Sequence, residues 1–213
     1  MNKESSESAS TAKIVAIVAS VLIVLGCYFF LTTPSAQKRK YSTTHDQNKI
    51  DIGGEFELIN LDGKLENSAK YIGKYRLVYF GFTYCPDICP TALNLMSQII
   101  DNLDKYGVEI VPIFVTIDPN RDSIAVLKPY LMHFNKKIIG YTGTDEQIRK
   151  VANQFKVYYA KVPRHDAPAE DYLLDHSSFL YFLDIHGNFI KHFPSSSSPN
   201  IVANEIMREI KGR

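Results

Sequence analysis

Three cysteines in 213 residues are too few to staple a fold, so the chain is no disulfide scaffold and its core must come from ordinary burial. Charge of one sign is missing too. Lys and Arg number 24 against 23 Asp and Glu, a formal net charge of +1. No basic stripe interleaved with aromatics occurs, which argues against a nucleic-acid partner. No internal repeat is visible.

What the chain has is 45% hydrophobic residues in a length that suits one globular domain plus an appendage. Residues 1–13 are a Ser- and Glu-rich tail. Residues 14–31 (IVAIVASVLIVLGCYFFL) are an uncharged run of 18, flanked by Lys13 and by Lys38-Arg39-Lys40. That is the short end for a membrane span and longer than a usual signal-peptide core, so it reads as an uncleaved transmembrane signal-anchor rather than a cleaved signal. Val24 to Cys27 only loosely resembles a lipobox, and Cys27 reads as a lipid-facing or packing residue. Residues 32–50 form a polar tether containing His45, and 51–213 the folded domain. The basic cluster at 38–40 outweighs the lysines before the span, so charge alone leans toward a cytoplasmic domain.

Within the domain, Phe56 to Leu65 reads as a hairpin turning at Asp62-Gly63, and Arg76 to Phe82 as a buried strand. Thr91 to Tyr106 has helical apolar spacing. Val108 to Ile117 suggests a central strand dented by Pro112, and Asp122 is offered as cap for a helix through Phe134. Further elements are a strand at 138–141, a helix from Thr144 with Gln147 in capping-box position, and a short strand at 157–162. A loop at 163–170 carries His165, a hairpin spans 178–193, and a last amphipathic helix contains Ile201, Val202, Ile206 and Ile210. This order defines an α/β domain, a central sheet with helices on both sides.

The organising stretch is Tyr79-Phe80-Gly81-Phe82-Thr83-Tyr84-Cys85-Pro86-Asp87-Ile88-Cys89-Pro90, a strand running through Cys-x-x-x-Cys into a helix. Pro86 suits a first helical turn, which would place Cys85 at the cap and Cys89 one turn later, on the same side. Two such thiols can ligate one metal ion or close a disulfide. The helix N-terminus favours thiolate, and Asp87 opposes it locally. Cysteines four apart on a helix also occur as packing residues, but prolines bracketing the pair at a helix start favour chemistry. Two thiolates cannot close a metal site alone. His45, His133, His165, His176, His186 and His192 are the candidate third ligands, and position alone does not select among them.

The segments Phe82 to Pro90, Thr116 to Asp122, Gly140 to Thr144 and Asp171 to Ser178 resemble, in register, the Sco (SenC) family of membrane-anchored copper proteins used in cytochrome c oxidase assembly. The resemblance runs from about residue 52 to the C-terminus. It implies a thioredoxin-like fold with an N-terminal hairpin extension and one copper ion on Cys85, Cys89 and His176. Asp118 lies in a shared block, either supporting the site or touching a partner, or merely capping its loop. Soft thiolates select copper(I), and the same set holds copper(II) once a further donor joins. The implied function is a copper metallochaperone that takes its ion from a donor protein and delivers it to a cytochrome c oxidase subunit carrying a copper centre. The alternative is a thiol-disulfide oxidoreductase that keeps the acceptor's cysteines reduced, with Cys85 attacking. The resemblance overrides the charge count and implies an exported domain. With no Arg-rich, acidic-poor import signal at the N-terminus, that means a bacterial inner membrane and a periplasm-facing domain.

Overall fold

The structure, a computed structural model, describes residues 52–163, 168 and 171–212 together with Leu25. The rest of the apolar run at 14–31, the tether with His45, and His165 lie outside these residues. Among the described residues no helix is long and apolar enough to cross a membrane.

Two strands form the centre because they are apolar on both faces. β3 (Arg76–Gly81) and β4 (Val111–Thr116) are buried at every position and pair in parallel, Arg76 opposite Val111 and Gly81 opposite Thr116. Burial on both faces is what a continuous apolar run in a parallel sheet achieves. β5 (Ile139–Thr142) extends the parallel set beside β4. On the other side of β3, β8 (Phe179–Leu183) runs antiparallel, and β9 (Phe189–Pro194) returns along it. The hairpin of β1 (Glu57–Asn60) and β2 (Leu65–Asn67) joins through β1 to β5, giving the order β2-β1-β5-β4-β3-β8-β9.

Among the described residues four α-helices complete the body: α1 (Ile88–Asp104), α2 (Ile124–Leu131), α3 (Asp145–Gln154) and α4 (Pro199–Lys211). α1 buries Ala92, Leu93, Met96, Ile99, Ile100 and Leu103, and packs along α4. α3 carries the capping box of Thr144 and Gln147 in full. The result is the thioredoxin-like α/β arrangement with an N-terminal hairpin.

The structure differs from the sequence reading in four places, each for a local reason. α1 starts at Ile88 with Asp87 at its cap. It is therefore Pro90, the third helical residue, and not Pro86, that occupies a position where a missing N–H leaves no bond unmade. β4 starts at Val111, and Pro112 fits inside it. The Val111 N–H donates to the Tyr75 carbonyl, so the nitrogen of Pro112 faces the other side, where β5 pairing begins only at Ile113. α2 ends at Leu131, and the residue at its cap is Ser123. Asp122 is instead fully buried. Last, the chain before His176 is a strand, β7 (Tyr172–His176), paired with β6 (Tyr159–Pro163) in a separate two-stranded sheet. His176 ends that strand; it does not enter β8.

Candidate metal centre

The site lies where β3 hands over to α1. Cys89 is the second residue of α1 and heads its buried stripe, with no exposed surface. Its sulfur needs room that only a glycine leaves: a Cβ on Gly81 would sit 3.0 Å from Cys89 Sγ, 2.9 Å from the Tyr79 ring and 3.1 Å from Phe114. Cys85 precedes the helix and is half-buried. The two thiols are thus not stacked on one helical face, as i and i+4 would require. The turn folds Cys85 over the helix start, where its sulfur accepts the Cys89 backbone N–H at 3.3 Å.

His176 arrives from β7. Its Nε2 lies 3.4 Å from Cys89 Sγ, and its Nδ1 is 3.0 Å from the Ser177 carbonyl. A carbonyl can only accept, so Nδ1 carries a hydrogen and Nε2 is the nitrogen turned toward the sulfurs. The rings of Tyr79 and Phe82 pack edge-on against the imidazole at 6.3 and 5.8 Å between centroids. Among the described residues Cys85, Cys89 and His176 are the one cluster of three metal-ligating side chains, their ligand atoms all within 4.8 Å of one another. His133, His186 and His192 are exposed elsewhere.

The thiols share one proton. The Cys89 side chain as hydrogen-bond partner holds Cys85 down to about 4; burial opposes this, while His176 and the backbone N–H groups of Cys89 and Asp87 assist. The same partnership, with burial, pushes Cys89 far up. Asp87 contributes its N–H, whereas its carboxylate is exposed. A half-exposed thiolate beside a buried thiol and an imidazole nitrogen is a soft donor set that suits one soft metal ion, copper(I) above all.

Residues not singled out by spacing build the surroundings. Asp122 accepts from Thr116 Oγ1 at 2.6 Å and from Thr83 N and Oγ1 at 3.0 and 2.5 Å, tying the cysteine turn to the end of β4. Its acidic character in a polar loop reads equally as a cap, and only burial tells the two apart. Asp118 is also buried, accepting from Tyr172 Oη at 2.7 Å and Arg121 Nε at 2.5 Å. It supports the strand that carries His176 and is no simple loop cap.

Fold and site together define a thioredoxin-like protein with a Cys-Cys-His cluster able to ligate a metal where β3 meets α1. The SCO1/SenC family matches residues 44–211. An SCO2-like protein of Rickettsia felis is 46% identical over 199 residues, 92% of this chain and 94% of that one. The crystal structure of Arabidopsis thaliana ScoI with copper bound superposes with a TM-score of 0.71 at 38% identity, covering 76% of this chain and 99% of that one. Yeast Sco1 with copper bound gives 0.70 at 36%, covering 76% and 90%. The chain belongs to the SCO1/SenC family.

Proposed function

We propose that this protein is a copper carrier that binds one ion at Cys85, Cys89 and His176 and delivers it to a copper centre of cytochrome c oxidase. The observation that supports this most directly is the convergence of three soft or borderline donors within 4.8 Å, two of them partly exposed. Three ligands with an accessible side favour ligand exchange over permanent storage. The buried Cys89 anchors the ion, while Cys85 and His176 are the ligands an acceptor can replace. The copper-bound state of the two relatives above supports the choice of metal. The same reading places residues 14–31 in a bacterial inner membrane as a single anchor, residues 32–50 as tether and the domain in the periplasm, with a copper donor protein upstream.

A redox role is the second reading, favoured by one observation: Cys85 is a half-exposed thiolate with Cys89 as resolving partner. The test is to mix the copper(I)-loaded full-length chain in detergent with the copper-free soluble domain of an oxidase subunit whose copper-ligand cysteines are reduced. Transfer of metal to the acceptor supports delivery. If the acceptor takes no copper, yet its oxidised form is reduced by the metal-free chain, the redox reading replaces it.

A further inference from the structure

Among the described residues β7 has β6 as its only strand partner and no ladder to the large sheet. The position of His176 therefore depends on what else fastens that strand. Leu174 is buried in the core and Tyr84 Oη donates to Asp171 at 3.4 Å, but the polar fastening gathers at Tyr172, four residues before His176 and so on the same strand face. Arg121 Nη1 donates to the Tyr172 carbonyl at 2.8 Å. Its guanidinium carbon lies 3.7 Å from the centre of the Tyr172 ring and 4.8 Å from that of Tyr84, the residue before Cys85. Nε is held by Asp118. One planar group thus joins the cysteine turn, the loop after β4 and the strand that ends on His176.

The choice of arginine has a chemical reason. A fork that donates in two directions while its flat face stacks between two rings is a geometry lysine cannot supply.

We propose that Arg121 is a positioning residue of the copper site: by locking β7 to the Cys85 turn it holds His176 Nε2 against Cys89, and so decides whether copper sits on three ligands or two. The inference rests on the copper reading of the cluster and not on which protein receives the ion. Without the lock, β7 swings with β6 and the thiols keep the ion alone.

The experiment uses the full-length chain in detergent, with Cys27→Ser so that Cys85 and Cys89 are its only thiols. It compares Arg121→Ala, Arg121→Lys, His176→Ala, Tyr172→Phe and the Arg121→Ala/His176→Ala double variant. The first readout is free of metal: hydrogen exchange across residues 172–176 should be at least about tenfold faster in both Arg121 variants, with β3, β4 and α1 unchanged. The second is copper binding. Both Arg121 variants should lose the histidine nitrogen coupling in the copper(II) electron paramagnetic resonance spectrum and bind copper as weakly as His176→Ala. The double variant should match His176→Ala within about twofold. Tyr172→Phe, which keeps the stack and the carbonyl but loses the hydroxyl bound to Asp118, should retain the coupling and speed exchange less than either Arg121 variant. An Arg121→Ala chain with the nitrogen coupling and full affinity overturns the proposal, and so does an equal loss of affinity with and without His176. A wild-type chain that binds no copper overturns the copper reading itself, an outcome told apart because the exchange comparison needs no metal.

Discussion

The imidazole Nε2 of His176 lies 3.4 Å from the sulfur of Cys89, a residue 87 positions earlier in the chain. Because Nδ1 is committed to the Ser177 carbonyl, the ring presents Nε2 to the thiols. Replacing His176 with Ala should leave two thiolates that still take up copper(I). Affinity should fall at least about tenfold, the lower end of what even outer partners of a metal ligand are worth. Competition against a copper(I) chelator measures this, and an unchanged affinity would remove His176 from the site.

The metal-free protein should show strongly unequal thiols. With Cys85 held at about 4 by its partnership with Cys89, and Cys89 pushed up by the same contact and burial, Cys85 remains thiolate through the neutral range. It loses reactivity only as the pH falls through about 4. Pulsed alkylation of the Cys27→Ser chain, followed by peptide mass analysis between pH 3 and 8, should label Cys85 almost alone. Equal labelling of both cysteines would contradict this arrangement.

Asp122 carries three hydrogen bonds from buried or half-buried donors. Asp122→Ala strands the Thr83 and Thr116 donors, at roughly 1–3 kcal/mol for each one left unsatisfied, partly offset because burial already disfavours the charged carboxylate. A net loss of about 2–4 kcal/mol is expected in urea unfolding. Asp122→Asn, which retains an acceptor for Thr83, should lose less.

Gly81 lies against the buried sulfur. A methyl group there meets the Tyr79 ring, Cys89 Sγ and Phe114, all within 3.1 Å. Gly81→Ala should therefore destabilise by about 1–3 kcal/mol through overpacking and displace Cys89, so that thermal stability and copper affinity fall together. A variant that kept wild-type affinity would show that the helix start can shift without moving the ligand.

Much of this was legible before any coordinates. The β3 and β4 strands announced themselves as unbroken apolar runs, α1 by its helical stripe, and α3 by its capping box, because local periodicity and capping are properties of neighbouring residues. The boundaries were less legible. Pro86 and Pro90 both suit a helix start, and Asp122 and Ser123 both suit a cap; which one serves depends on what lies against it in space. β7 was missed since Tyr172 to His176 alternates burial only when β6 and the loop after β4 are placed beside it.

The amino-acid sequence by itself determined the soft chemistry of the Cys85–Cys89 pair, the buried parallel centre and the resemblance that picks out His176. Tertiary structure alone decided that Cys89 is buried while Cys85 is not, that His176 offers Nε2, and that Asp122 and Arg121 hold the loops around them. The division has a physical cause. A donor's type is written in one residue, whereas its protonation, exposure and direction are set by groups dozens of positions away, which only packing brings within bonding distance.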